Sequence, residues 1–82
     1  MVITVRYFAG ARAATGIEAE TLSMADGMAL HDLAEQLGRR HGSDLARVLT
    51  AASFLINEVA GPGDRPIPAG ATVDVLPPFA GG

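Results

Sequence analysis

Met28 to His41 read MALHDLAEQLGRRH, and this run sets the architecture of the whole chain. Its apolar residues recur at the spacing i, i+3, i+4, i+7, which places them on one face of an α-helix. They are Leu30, Leu33, Ala34 and Leu37. Acidic residues come early in the run and basic residues late, as the helix dipole favours, and Gly42 ends it. We therefore predict one main helix whose apolar stripe forms half of the core.

Segments with the periodicity of β-strands flank this helix on both sides. Val2 to Phe8 alternates in polarity and is rich in β-branched and aromatic residues, which predicts a first strand. Ile17 to Met24 alternates again and predicts a second strand, antiparallel to the first. Ala52 to Asn57 and Thr72 to Leu76 predict two later strands, with a weak strand after a turn at Asn57-Glu58.

Shorter elements fill the remaining positions. Ala9 to Gly16 is rich in alanine and closes on glycine, which predicts a short helical turn that stops at Gly16. Ser43 is expected to cap a second short helix that runs through Val48 or Leu49. Gly61 to Gly70 holds three prolines and three glycines, which is typical of a surface connection.

The order strand, strand, helix, strand, strand, strand predicts an α+β domain, in which one main helix packs across a mixed sheet. With a right-handed crossover this is a β-grasp arrangement, and its first and last strands lie side by side at the centre. We expect residues 1–76 to form this domain and residues 77–82 to form a flexible C-terminal tail. The predicted core consists of Ile3, Val5, Leu22, Leu30, Leu33, Leu37, Leu55, Val73 and Val75.

The composition narrows the classes of function. The chain has 82 residues, a net charge of −3, no cysteine and no lysine. The lack of cysteine removes disulfides, thiolate metal sites and a thiol nucleophile. An acidic domain without a basic stripe is a poor partner for nucleic acid. No apolar run approaches the roughly 20 residues of a membrane span and no signal segment opens the chain, so we expect a cytoplasmic protein without membrane contact.

Few side chains have the pattern of a catalytic or metal site. His31 and His41 are expected to be solvated helix residues, because no cysteine or paired carboxylate stands at ligand spacing, and we predict no metal site. Glu18 and Glu20 share one strand face, which favours a solvated outer face over an acid–base pair. No acid, base or nucleophile of the domain itself is therefore expected to take part in catalysis.

The last residues, Leu76 to Gly82, read LPPFAGG. Two prolines lead the chain out of the domain in an extended form, and two glycines have no Cβ, so the backbone can enter a narrow slot. The apolar Phe79 beside them needs a partner surface and is the expected anchor. Such a tail suits delivery of a C-terminal carboxylate into another protein's active site, and Arg6 and Arg12 are hypothesised to lie near its exit. A frayed terminus or a plain interaction module is the alternative.

With these features the whole chain resembles the ubiquitin-like sulfur carriers, and most closely the small subunit of molybdopterin synthase. The resemblance rests on FAGARAATG after the first strand, on Asp26-Gly27, on Ile56-Asn57, on the stretch 64–67 and above all on the PPxAGG ending. The chain departs from the pattern at Glu58, where relatives often have glycine, and in the loop 61–63. The hairpin around Glu58 is the part that these departures affect.

The resemblance implies a mechanism. An adenylating enzyme of the ubiquitin-activating type would use ATP to activate the carboxylate of Gly82, and a sulfur donor would convert it to a thiocarboxylate. The large subunit of molybdopterin synthase would take in the tail, with Gly81 in its slot, and the sulfur would pass to a cyclic pyranopterin phosphate. The implied partner-binding residues are Pro77, Pro78, Phe79 and Ala80.

The resemblance further implies a heterotetramer of small and large subunits, with no cofactor bound to this chain. Two other functions stay open at this point. The chain could carry sulfur for another pathway, such as thiamine thiazole synthesis, or it could be a ubiquitin-like protein modifier that is joined through Gly82 to other proteins.

Overall fold

The computed structural model describes residues 1–78, which form one five-stranded sheet and three helices. The elements in chain order are β1 (Val2–Tyr7), α1 (Ala9–Thr15), β2 (Ala19–Ser23), α2 (Leu30–His41), α3 (Ser43–Leu49), β3 (Ser53–Ile56), β4 (Val59–Ala60) and β5 (Thr72–Leu76). Every predicted element is present, and β1, β2 and β3 are each shorter than predicted by one to three residues.

The sheet has the strand order β2-β1-β5-β3-β4, so β5 occupies its centre. β5 runs parallel to β1, with Tyr7 opposite Val75, and antiparallel to β3, with Ile56 opposite Val73. The predicted adjacency of the first and last strands is thus confirmed. A mixed sheet of this order with a main helix in the crossover is the β-grasp fold expected from the sequence.

The core lies between α2 and one face of the sheet, which we call the inner face. Ile3, Val5 and Tyr7 alternate along β1 on this face, and the apolar stripe of α2 packs into the same cluster. Leu45 of α3 and Ile67 of the loop before β5 join them. The buried members are Ile3, Val5, Tyr7, Ala11, Leu30, Leu33, Leu37, Leu45, Ile56, Ile67, Ala71, Val73 and Val75.

One predicted core residue is wrong, and another is only partly buried. Leu55 lies opposite Asp74, on the outer face of the sheet, while its neighbour Ile56 lies opposite the buried Val73 and fills the core position. The run Phe54-Leu55-Ile56 is apolar throughout, so alternation alone could not choose between its faces. Leu22 is partly buried and packs against the core from the edge strand.

The first residue of α2 and the N-cap of α3 differ from the prediction. α2 begins at Leu30 rather than Met28, because Ala29 is extended and the Met28 carbonyl is engaged outside the helix, where it accepts a hydrogen bond from the N–H of Ile67 at 2.9 Å. Gly42 ends α2 with φ of 98° and also holds the N-cap position of α3. Ser43 is therefore the first residue of α3 and not its cap.

The turn between β3 and β4 is a two-residue hairpin loop, Asn57-Glu58, with φ of 49° and 68°. The Asn57 side chain accepts a hydrogen bond from the N–H of Thr72 at 3.0 Å, and the Asn57 N–H donates to the Thr72 carbonyl at 2.8 Å. These bonds tie the turn to β5. The hairpin thus forms although Glu58 stands where glycine is the favoured residue of such turns.

Candidate functional site

The base of the predicted tail is the end of β5. Val75 pairs with Tyr7 of β1 on one side and with Phe54 of β3 on the other, and the Phe8 N–H donates to the Val75 carbonyl at 3.1 Å. Leu76 still pairs with Ser53. Pro77 and Pro78 follow outside any strand and are exposed. The strand that precedes these prolines is therefore anchored by hydrogen bonds to a neighbouring strand on each side.

Four of the predicted site residues lie outside the described part of the chain. These are Phe79, Ala80, Gly81 and Gly82. Of the predicted partner-binding residues, the structure places Pro77 and Pro78 at the exposed end of β5. The roles assigned to all six residues stay predictions.

The outer face of the sheet, opposite the core, carries an ion pair beside the base of the tail. Arg6 of β1 lies opposite Asp74 of β5. Its Nε donates to Oδ1 of Asp74 at 2.6 Å and its Nη2 donates to Oδ2 at 2.7 Å. These hydrogen bonds and the negative charge of Asp74 raise the pKa of Arg6 above its ordinary value. Such two-pronged pairs are among the stronger polar contacts in proteins.

Arg6 and Arg12, the two arginines hypothesised to lie near the tail's exit, meet in one shallow cleft. Both arginines line it, together with Phe8 and Glu18, and its volume is about 290 Å³. The Arg6 guanidinium lies 5.6 Å from the centre of the Phe8 ring, and Arg12 forms an ion pair with Glu18. The backbone of Phe8 is hydrogen-bonded to Val75 of β5, the strand that leads into the tail, so the cleft adjoins the tail's base.

A second polar cluster contradicts the solvated positions predicted for Glu20 and His41. The side chain of Glu20 is only 11% exposed and that of His41 15%. The Tyr7 hydroxyl donates to Oε2 of Glu20 at 2.6 Å, and Nε2 of His41 contacts the same oxygen. Arg40 donates from Nε to Oε1 at 2.8 Å. The cluster joins β1, β2 and the end of α2. His31, by contrast, is exposed as predicted.

The cluster changes the acidity of two of its members. Burial acts to raise the pKa of Glu20, but hydrogen bonds from Tyr7, His41 and Arg40 outweigh it, so that the pKa lies below its ordinary value. Burial, followed by the hydrogen bond to Glu20, raises the pKa of Tyr7 well above its ordinary value. At neutral pH the pair is therefore a carboxylate and a neutral phenol, which is a stable contact and not an acid–base pair.

Register explains why the sequence did not reveal this cluster. Glu20 lies opposite Val5 in the antiparallel pair β1–β2, so it points to the inner face at the sheet's margin. Its partners Tyr7 and Arg40 come from elements that only the folded chain brings together. The available signal was that Glu20 lies two positions from the apolar Leu22 and so shares its face of β2, where a polar side chain needs a hydrogen-bond partner.

The rest of the described structure offers little for catalysis. Within residues 1–78, no three His, Cys, Asp or Glu side chains come together in a way that could hold a metal ion. No helix in that range is long and apolar enough to cross a membrane. A groove of about 450 Å³ between α2 and α3 is lined mainly by aliphatic groups, among them Ala34, Ala46 and Leu49.

Comparison with protein families agrees with this architecture. A model described as the ThiS family matches residues 5–82, which is nearly the whole chain. The chain belongs to the ThiS family. The ubiquitin-like sulfur-carrier relationship predicted from the sequence is therefore confirmed.

Individual proteins of known name show how far the likeness extends. The molybdopterin synthase sulfur carrier subunit of Chlamydomonas reinhardtii is 33% identical over 84 residues, which span all of both chains. Among solved structures, a putative molybdopterin converting factor subunit 1 from Pyrococcus furiosus is 22% identical, covers 95% of this chain and 98% of its own, and has a TM-score of 0.80.

A third relative is known in a complex. It comes from a complex of subunits 1 and 2 of the Helicobacter pylori molybdopterin-converting factor, and is 23% identical over all of both chains, with a TM-score of 0.68. At these identities the two solved structures establish that the ThiS-family chain shares their fold.

Proposed function

We propose that this chain is the sulfur carrier, the small subunit, of a molybdopterin synthase. The observation that carries the proposal is the relative of that name, which matches the chain over its full length at 33% identity. The fold supports it, because β5 leads directly from the centre of the sheet into the sequence LPPFAGG. In this proposal the domain holds the tail, and the tail carries the sulfur.

The chemistry requires activation of the carboxylate of Gly82. A C-terminal carboxylate has a pKa of roughly 3.3–3.7 and is an unreactive anion at neutral pH. Its oxygen would attack the α-phosphorus of ATP, which releases pyrophosphate and leaves an acyl adenylate. A sulfur donor would then displace AMP and leave a thiocarboxylate. An adenylating enzyme of the ubiquitin-activating type would catalyse these steps, so this chain would bind no cofactor of its own.

The large subunit of the synthase is the proposed acceptor of the tail. Subunits 1 and 2 of the Helicobacter pylori factor form a complex, which supports a partner of this kind. Phe79 would anchor the tail in that partner, with Pro77, Pro78 and Ala80 as further contacts. Gly81 would lie in the narrowest part of the large subunit's slot, so that the thiocarboxylate of Gly82 could reach a cyclic pyranopterin phosphate.

Intact-protein mass spectrometry tests this function directly. The full chain is incubated with ATP, a candidate activating enzyme and a sulfur donor, and a variant without Gly82 serves as the control. We expect a mass increase equal to the replacement of one oxygen by one sulfur, and no such increase in the control. No increase, with an activating enzyme that is active on another carrier, would contradict the proposal.

A second assay separates the proposed acceptor from the alternatives. The sulfur-loaded chain is mixed with the large subunit and cyclic pyranopterin phosphate, and the dithiolene product is measured. Sulfur loading without this product would favour another pathway, such as thiamine thiazole synthesis. Covalent adducts between Gly82 and lysines of other proteins would instead favour a protein modifier.

A further inference from the structure

The Arg6–Asp74 pair lies on the outer face of the sheet, and the stability of the fold does not require a charged pair at this position. Asp74 is 5% exposed and is the buried charged residue of the described chain. Burial of a charge carries a large desolvation penalty, and apolar residues of similar volume often stabilise such a position equally well or better. The outer face has apolar neighbours for such residues, because Leu55 lies opposite Asp74 on β3. The pair is therefore better explained by a role in binding than by a role in the stability of the fold.

The two members of the pair differ in what they offer to a partner. The side chain of Asp74 is 7% exposed, whereas that of Arg6 is 44% exposed. The Nε and Nη2 of Arg6 donate hydrogen bonds to Asp74, and within residues 1–78 its Nη1 has no hydrogen-bond acceptor. A guanidinium has donors along two edges, so one edge still faces outward. The guanidinium of Arg6 is thus exposed and held in place, while the carboxylate of Asp74 is buried.

The charges around Arg6 indicate on which side a ligand would enter. Arg6 lines two clefts of the outer face, of about 310 and 290 Å³. The first contains Glu58, whose negative charge acts on Arg6 and repels an acidic group. The second contains Phe8 and the Arg12–Glu18 ion pair, whose opposite charges offset each other. Of the two clefts, the second, beside the base of the tail, therefore repels an acidic group less.

We infer that Arg6 is a specificity-determining contact, which receives a carboxylate side chain of the large subunit on the outward edge of its guanidinium. The inference rests on the proposed function, because that function supplies the partner. Asp74 then acts as a positioning residue: its two hydrogen bonds fix the guanidinium at a place two positions before the last residue of β5. A carboxylate bound there would fix the partner in register with the tail.

Binding measurements on a double variant test this inference. Arg6→Met/Asp74→Val removes both charges together, so it leaves no unpaired charge in the sheet. Asp44→Asn/Arg47→Gln is the matched control, because it removes an exposed ion pair of α3 with the same change in net charge. The dissociation constant for the large subunit is measured by calorimetry at low and high salt, together with the melting temperature of each chain.

We expect the double variant to keep its melting temperature and to bind at least tenfold more weakly, with a smaller loss of affinity at high salt than the wild type. The control should bind as the wild type does. Equal affinity of wild type and double variant would overturn the inference and leave the proposed function intact. Failure of the wild type to bind the large subunit would overturn both.

Arg6→Lys decides the matter if the double variant does not fold. Lysine keeps a cation for Asp74, but it cannot donate in a planar fork to two carboxylates at once. We expect this variant to remain folded and to bind several-fold more weakly. Wild-type affinity in Arg6→Lys would mean that no partner carboxylate uses the outward edge.

Discussion

Glu58 has a strained backbone conformation for a residue with a long side chain. Its φ of 68° lies in the left-handed region, and so does that of Asn57 before it. Two-residue hairpins need this conformation at both positions, and a glutamate adopts it at a higher energetic cost than an asparagine does. The hydrogen bonds between Asn57 and Thr72 hold the turn in place, so the rest of the hairpin offsets the strain at Glu58.

Replacement of this residue by glycine should stabilise the protein. In Glu58→Gly we expect the free energy of unfolding to rise by about 0.5–1 kcal/mol, because relief of the left-handed strain exceeds the extra chain entropy of glycine. Urea unfolding measures the change. Glu58→Ala is the control, since it removes the carboxylate and keeps the Cβ. An equal gain in both variants would assign the effect to charge and not to backbone strain.

Among the elements, the contact between α2 and α3 depends on the absence of a side chain at Gly38. A Cβ built there would lie 3.2 Å from the Cβ of Ala46, which is tighter than most real contacts of this kind. Gly10 of α1 differs, because a Cβ there would meet Val48 at 3.9 Å, an ordinary distance. Both glycines lie inside helices, so they separate helix propensity from packing.

This difference predicts unequal effects of the same substitution. Gly10→Ala should raise the free energy of unfolding by about 0.5–1 kcal/mol, since alanine is the better helix former. Gly38→Ala should gain clearly less, because Ala46 must move to make room. Thermal unfolding of the two variants provides the comparison. A gain at Gly38 equal to that at Gly10 would show that α3 moves freely against α2.

The Glu20 cluster joins three elements and should make their assembly sensitive to acid. The pKa of folded Glu20 lies below its ordinary value, so its stabilisation is complete above the unfolded pKa of roughly 4.3 and is lost as the pH falls through the folded pKa. We expect the wild type to lose stability below about pH 4.3 more steeply than Glu20→Gln does. Urea unfolding at a series of pH values tests this, and parallel curves for the two proteins would contradict it.

At the scale of the whole molecule, the sheet and the tail are expected to be separable. β5 reaches its last strand pair at Leu76, and within residues 1–78 the buried core residues all precede that position. Deletion of Gly81 and Gly82 should therefore leave the melting temperature unchanged while it abolishes the sulfur-dependent mass increase. Differential scanning calorimetry and intact mass on the same sample test both parts. A matched loss of thermal stability would mean that the tail contributes to the fold.

Much of this molecule was predictable because its elements carry local periodicity. The stripe from Leu30 to Leu37 and the alternation of Ile3 and Val5 predicted the layers, and glycines predicted the ends of α1 and α2. The errors arose where distant residues decide the outcome. Leu55 and Ile56 are distinguished by their register with β5, and Ile67 is a core residue inside a proline-rich loop. Glu20 and His41 are partly buried only because β2 and the end of α2 meet.

The parallel pairing of β1 and β5 determines how the protein responds to mechanical tension. If one end of the chain is pulled through Val2 and the other through Leu76, the two neighbouring strands are drawn past each other lengthwise. All the hydrogen bonds between them then share the load at once and cannot open one after another. A partner that pulls on the tail therefore meets its greatest resistance at the strand pair that supports the tail, and the domain can be drawn against a binding surface without unravelling.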